Sequence, residues 1–352
     1  MLPRPILVTR SLAARIHATR ILAASFLALV AAIARPAYAQ SASSGDVEAR
    51  IRTLVGAVVQ VRARALEDAR SNDTLGRGRE GSGVVIDDQG HILTIGYLVI
   101  EPDAIQVTTA AGRTVPALLA GYDHATGFGL LKAQAPLEVA PLPLGSSAAM
   151  NEGDPVMVLP FGGRDAASMA RIVSTRRFSG SWEYQLDRAL FTAPPNMTWS
   201  GAALVNREFA LVGVGSLVVQ NAMNPKAFMP GNMFVPIDLL KPILADLKEK
   251  GRAAGPARPW LGLSTEEIEG RLLVTRVSPE SPAAEAGIRR GDVVVGIAGD
   301  DVTTHAELYS RLWKLGPAGT VVPLRVQSAG GTREVQVRSI DRAEYFKEKK
   351  PL

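Results

Sequence analysis

The chain has 352 residues, 47% apolar and 21% charged, and it contains no cysteine. That length is enough for two domains with separate cores, and no disulfide can brace either of them. The formal charge of +5 does not mark a nucleic-acid binder. Five arginines and no acid fall within residues 1–39, and without them 34 basic residues face 34 acidic ones, so the sequence gives no basic face for phosphate.

Residues 1–39 read as an export leader. Arg4, Arg10, Arg15 and Arg20 form a basic front, residues 21–34 form an apolar run broken only by Ser25, and Ala37-Tyr38-Ala39 offers a cleavage site before Gln40. The apolar run is shorter than the roughly 20 residues of a membrane span. The expected product is therefore periplasmic or secreted; an uncleaved anchor over 21–34 is the alternative, and the only route to a membrane.

In residues 40–250 short apolar runs alternate with turn signals. The stretch 54–61 predicts a strand and the charged stretch 66–80 a loop. Further strands are expected at 83–86, 91–94, 104–108, 114–119, 129–132, 155–159, 170–174 and 211–219. Short strands at spacings of about ten residues predict an all-β barrel or sandwich domain. A closing helix is expected over 236–250, with Ile237, Leu240, Leu244 and Leu247 on one face and Pro242 near its first turn. Residues 251–258 form a Gly/Ala/Pro linker.

A smaller α+β unit is expected over 259–341. Strands are predicted at 260–263, 271–277, 292–297, 320–327 and 332–338. One helix starts from a capping box of Thr304 and Glu307, carries Leu308 and Leu312 on one face, and stops at Gly316-Pro317. The charged tail 342–352 is expected to fray.

Four stretches carry a family resemblance. Gly81-Ser82-Gly83-Val84-Val85-Ile86 with Gly90-His91-Ile92-Leu93-Thr94 resembles a first-barrel hairpin leading to a catalytic histidine. The segment from Asp123 to Lys132 resembles one that carries a catalytic aspartate, and Asn196 to Asn206 resembles a nucleophile loop. Val277-Ser278-Pro279 through Ala286-Gly287-Ile288 to Gly291-Asp292 is similar to a PDZ core. Together they resemble the HtrA (DegP/DegS-like) family over about residues 45–340. The resemblance implies a mostly β protein: a chymotrypsin-like double β-barrel followed by a PDZ domain.

Carried over position by position, the resemblance puts Ser200 at the nucleophile, Tyr97 at the general base and Gly127 at the orienting acid. A serine hydroxyl needs a neighbouring base. A phenol with an ordinary pKa near 10 is protonated at neutral pH, and glycine has no side chain to orient an imidazole. Thr198 replaces a glycine that shapes the oxyanion loop, and Trp199 sets an indole beside the serine, either as a plug or as an anchor for a peptide. The remaining histidines are His17 in the leader, His91 at a turn, His305 in the second unit and His124, the candidate for a displaced base, otherwise a surface residue. The expected reading is a pseudoprotease; the alternative is a serine endopeptidase of weak or substrate-induced activity through Ser200.

By the same resemblance the PDZ unit binds unfolded or C-terminal peptide segments. The binding loop falls on Trp260-Leu261-Gly262-Leu263, with Leu308 and Leu312 on the opposite wall and Arg258 just before it. No metal or cofactor is called for. Homotrimers, or heterotrimers with an active relative, are implied by the family alone, since residues 41–80 contain no Phe, Trp or Tyr. The expected setting is envelope protein quality control.

Overall fold

A computed structural model describes residues 44–349; the expected leader, its cleavage site and the alternative anchor lie outside these residues. The described chain opens with helix α1 (Ser44–Gly56) and then builds two closed six-stranded barrels. The first comprises β1 (Val58–Ala65), β2 (Gly78–Val85), β3 (His91–Ile95), β4 (Pro102–Thr108), β5 (Thr114–Tyr122) and β6 (Phe128–Ala133), in the spatial order β1-β2-β3-β6-β5-β4. A four-residue helix, α2 (Asn72–Leu75), interrupts the β1–β2 connection. The second barrel comprises β7 (Pro155–Leu159), β8 (Ser168–Gly180), β9 (Tyr184–Ala193), β10 (Ala203–Val205), β11 (Leu211–Val219) and β12 (Gly231–Pro236), ordered β10-β11-β12-β9-β8-β7. Closure leaves neither barrel a free edge.

Period-2 patterning drives the first barrel. Val59, Val61, Ala63 and Ala65 alternate inward along β1, and Ile92, Leu93, Leu130 and Leu131 are buried in one apolar cluster with Phe128. The same apolar cluster continues through Tyr184, Phe191 and Val214 of the second barrel. The serine loop lies where these two barrels meet.

Helix α3 (Leu244–Lys250) packs on β5 and leads to the smaller domain. That domain contains β13 (Pro259–Trp260), β14 (Leu263–Ile268), β15 (Arg271–Val277), α4 (Pro282–Glu285), β16 (Val293–Ile297), β17 (Asp300–Asp301), α5 (His305–Leu312), β18 (Val321–Ser328), β19 (Gly331–Arg338) and β20 (Ile340–Asp341). Its main sheet runs β14-β15-β16-β18-β19, β17 pairs with β16, and β13 pairs with β20. Val322, Leu324 and Val326 alternate inward on β18 and meet Leu308, Tyr309 and Leu312 of α5. The capping box on α5 forms as expected, Thr304 accepting from the Glu307 N–H and Glu307 reaching back to the Thr304 N–H.

Several local expectations are corrected. The apolar run 54–61 divides at Gly56: its first residues end α1, and the strand begins at Val58. Hydrophobicity alone does not separate a helix end from a strand start in so short a run. The loop expected over 66–80 contains α2 and the start of β2. The closing helix over 236–250 becomes a 3-10 turn, Ile237–Leu239, and then α3. Pro242 accounts for the break, because it lacks an N–H and disfavours a helical residue before it. Strand β9 and the hairpin it makes with β8 carried too few alternating residues to be expected.

The tail is the largest correction. Residues 342–345 form helix α6 (Arg342–Tyr345), and Tyr345 is buried with its ring centroid 4.6 Å from that of Trp260. Arg70 lies 4.4 Å over the same tyrosine ring, and the Lys347 N–H donates to the buried Glu101 carboxylate at 2.9 Å. Positive charge in a sequence says little about docking when one aromatic ring supplies the anchor. Removing that ring with Tyr345→Ala is expected to cost about 3 kcal/mol of stability, as for other buried aromatics. Urea unfolding of wild type and variant at unchanged m-value tests this, and a loss below about 0.5 kcal/mol would show the tail to be undocked.

Candidate active site and peptide groove

The loop carrying Ser200 is tied by its backbone to both barrels. The Ser82 N–H donates to the Ser200 carbonyl at 2.8 Å, and the Gly201 N–H to the Gly215 carbonyl at 2.9 Å. Gly201 has φ +72, and a Cβ on it would stand 1.9 Å from the Ser82 carbonyl oxygen. Only glycine fits there, so the first barrel's β2 and the nucleophile loop are fixed together.

Tyr97 lies in a 3-10 turn, Gly96–Leu98, that follows β3. Arg79, buried under that turn, donates to the carbonyls of Tyr97 at 3.3 Å and Ile100 at 2.7 Å. The Tyr97 Oη sits 2.9 Å from Ser200 Oγ and 2.9 Å from the Ser216 carbonyl oxygen. Burial pushes the phenol up to about 12, against the opposing pull of its hydrogen bonds with Ser200 and Trp199. A phenol held that high gives roughly one phenolate in 10⁵ molecules at pH 7. Tyr97 reaches the serine with good hydrogen-bond geometry and has no capacity to take its proton.

The position of the expected acid is close by but empty of chemistry. Gly127 has φ +80, and its carbonyl accepts from the Gly96 N–H at 2.7 Å. The base-position and acid-position loops are therefore locked together. Tyr184 occupies the space beside Gly127, its Oη donating to the Thr126 carbonyl at 2.6 Å.

The oxyanion side has been rewired. The Thr198 N–H donates to Asn196 Oδ1 at 2.8 Å. Asn196 is in turn fixed by Asn232, through bonds of 2.7 and 3.0 Å, and donates to Ser168 Oγ at 2.9 Å. That N–H is thus committed within the loop and does not face a substrate oxygen, as oxyanion stabilisation requires. The Trp199 indole N–H donates to the Ser216 carbonyl at 3.2 Å. A cleft of about 420 Å³, lined by Gln60, Ser82, Phe161, Met197, Trp199 and Ser200 among others, opens beside this loop.

Among the described residues no histidine is hydrogen-bonded to Ser200, and two expectations about the histidines are corrected. His91 is buried, not solvated at a turn: its Nδ1 lies 2.7 Å from Asp87 Oδ2, at the end of β3 away from Tyr97. His124 is half-buried rather than out on the surface. Its ring packs against Tyr122 at 4.3 Å and stacks on Phe346 at 5.6 Å. Burial first, then the nearby Arg342 and Arg252, depress it to about 3. A neutral imidazole of such low basicity is not a general base at pH 7. His305 lies in α5, its Nε2 3.0 Å from the Thr265 carbonyl.

In the second domain the loop residues do gather. Leu261, Leu263, Leu308 and Leu312 are all buried in one core, while Trp260 packs on Tyr345. Arg258 lies 4.3 Å over the Trp313 ring rather than on a carboxylate. Gly262 has φ +87 and passes so close to Ser281 that a Cβ would meet the serine Cβ at 2.3 Å. Its carbonyl accepts from Ser278 at 2.8 Å and that of Leu261 from Ala283 at 2.9 Å. Carbonyls thus point inward, and three successive N–H groups point outward.

Sequence reasoning missed the group that meets them. Glu183, at the tip of the β8–β9 hairpin, accepts from the N–H groups of Leu261 at 2.9 Å, Gly262 at 2.7 Å and Leu263 at 2.8 Å. The only signal was an acid set between Trp182 and Tyr184 just past Gly180-Ser181, an unusual composition for a solvated turn tip. Burial pushes this carboxyl up to about 6, against the three N–H bonds and Arg342, which pull it down. Because the folded value exceeds the unfolded one, Glu183 binds protons more tightly in the folded state, and its contribution to stability is lost as pH rises through about 6. Stability of the wild type is expected to fall by about 2 kcal/mol between pH 4.5 and 7 relative to Glu183→Gln. Urea midpoints for the two proteins across that range test the linkage; parallel curves would rule it out.

Known proteins share these parts. Residues 81–214 match the trypsin-like peptidase domain family and residues 273–328 the PDZ domain family. The chain is 29% identical over 281 residues to the serine endoprotease DegS of Haemophilus influenzae, covering 77% of this chain and 81% of that one. It is 28% identical over 305 residues to the serine protease PepD of Mycobacterium tuberculosis, covering 80% and 66%. Among solved structures, the HtrA-type protease AlgW with a decapeptide matches at 18% identity with a TM-score of 0.50, covering 86% of this chain and 98% of that one; at that identity the likeness is one of fold.

Proposed function

We propose that this chain is an HtrA-type protein, a trypsin-like peptidase domain followed by a PDZ domain, whose peptidase domain is catalytically silent while its PDZ domain binds hydrophobic or C-terminal peptide segments of other proteins. The observation that carries the first half is the contact between Tyr97 and Ser200. A protonated phenol, pushed up to about 12, stands 2.9 Å from the serine where a base must stand. A triad that loses its base in this way loses on the order of 10⁶ in turnover. The committed Thr198 N–H removes support for the oxyanion as well.

The second half draws on the PDZ loop. Its three outward N–H groups form a nest of the kind that captures a terminal carboxylate, and AlgW has been solved with a decapeptide. A setting in the bacterial envelope is supported by relatives described as probable periplasmic serine endoproteases, such as a DegP-like protein of Hahella chejuensis. The leader expected at residues 1–39 agrees with that setting. The role is an adaptor or sensor in envelope protein quality control, alone or assembled with an active relative.

A second reading has its own observation. Ser200 stands beside a cleft, and the matched relatives are named a serine endoprotease and a serine protease. On that reading the protein is an HtrA-type endopeptidase whose activity awaits a rearrangement that frees Ser200 from Tyr97.

One experiment decides between them. The mature protein is offered unfolded casein and a fluorophosphonate probe, with and without C-terminal hydrophobic peptides, beside a Ser200→Ala control. The expected outcome is neither cleavage nor labelling above the control in any condition. Ser200-dependent labelling or turnover would establish the endopeptidase reading instead.

A further inference from the structure

The groove of the PDZ domain is not vacant. The tip of the β8–β9 hairpin, residues 180–183, lies in it. The Thr265 N–H on β14 donates to the Ser181 carbonyl at 2.9 Å, and two residues later the Glu183 carboxylate reaches the N–H groups of Leu263, Gly262 and Leu261. As the hairpin residue number rises from 181 to 183, the partner moves back from 265 to 261. The inserted segment therefore runs antiparallel to β14 and ends its approach with a carboxylate on the loop. That is the order of contacts an added C-terminal strand would make.

The opposite wall completes the enclosure. Tyr309 of α5 accepts from the Glu183 N–H at 3.1 Å and donates to the Gly180 carbonyl at 2.8 Å. Its ring stacks on His305 at 5.7 Å, and both side chains are buried. Trp182 and Tyr184, on either side of Glu183, stack on each other at 5.8 Å and fasten the hairpin to its own barrel.

We propose that Glu183 and its hairpin tip are an internal ligand of the PDZ domain, mimicking a peptide C-terminus, and that a carboxylate-ended peptide gains the loop only by displacing them. The inference rests on the peptide-binding reading given above. Each of the three N–H groups carries one proton, so one carboxylate excludes the other. The bound segment is part of the same chain, so its effective concentration does not fall on dilution. Apparent peptide affinity is thus reduced by the fraction of molecules in which the hairpin is withdrawn.

The test uses the full mature chain as wild type, Glu183→Ala and Glu183→Gln, with fluorescent peptides of varied hydrophobic C-termini, each made with a free carboxylate and with an amide. Glu183→Ala is expected to bind the free-carboxylate peptides at least about ten-fold more tightly than wild type, and the amidated peptides much more weakly. Hydrogen exchange at residues 261–263 is expected to accelerate in the unliganded alanine variant. Equal affinity of wild type and alanine variant would overturn the internal-ligand inference while leaving peptide binding intact. Binding by none of the proteins would overturn the peptide-binding reading and the inference with it. Equal binding of amidated peptides would show that no carboxylate is exchanged, against the inference. If the alanine variant is misfolded by circular dichroism, the glutamine variant, which keeps the side-chain shape but no charge, must show the same ordering with a smaller gain; unchanged affinity in it would likewise overturn the inference.

Discussion

One carboxylate governs how the two folded parts of this chain meet. Glu183 is buried, and three backbone N–H groups compensate it where water cannot. A charged group without partners in such a place would be prohibitively costly. Three aligned donors make it tolerable without making it free, which is why its carboxyl stays high, at about 6. The cost falls on docking: the hairpin is held by charge-assisted bonds whose benefit is partly offset by desolvation. An arrangement of that kind is specific in position and modest in net strength.

The same constraint organises elements that look unrelated in sequence. β8 and β9 extend past their barrel so that their tip can reach the loop. Tyr184, adjacent to Glu183, bonds the Thr126 carbonyl next to Gly127, so the segment that carries Glu183 also fills the space beside Gly127. On the other side, Trp260 leads into the nest and packs against Tyr345, which brings the tail to Glu101. Glu101 also accepts from the Arg70 and Ser71 N–H groups, at 2.9 and 2.8 Å. Loop, tail and first barrel are thus joined through a few buried polar anchors, each fully partnered.

What the sequence revealed, and what it hid, follows from the range of the interactions. Alternation in β1 and β18 and the Thr304–Glu307 box are local, and were legible. The nucleophile loop was legible because glycine at Gly201 answers a contact with Ser82 that no other residue survives. The positions of Tyr97 and Gly127 were readable by resemblance, and the structure brings Tyr97 to the serine and Gly127 to the turn that bears it. The fate of Asn196, His91 and His124 was not readable. Each depends on partners brought in by tertiary packing: Asn232 for the first, Asp87 in a folded hairpin for the second, Phe346 of the tail for the third. Glu183 was the hardest, since its partners lie 78 to 80 residues away and are backbone groups that carry no side-chain signature.

On the proposed reading, a phenol where a triad would hold an imidazole changes the chemistry beside Ser200. Tyr97 reaches both the Ser200 hydroxyl and the Ser216 carbonyl, each at 2.9 Å. A phenol has a single proton, and a carbonyl can only accept. When that proton serves Ser216, the Tyr97 oxygen is left as an acceptor for the serine hydroxyl. Ser200 is then satisfied as a donor while its proton has nowhere to go, because accepting it fully would require a doubly protonated phenol. In an active triad the serine's hydrogen bond begins the transfer; on the silent reading proposed above, it ends there. Packing and polar satisfaction then account for the position of Ser200, and neither asks it to be a nucleophile.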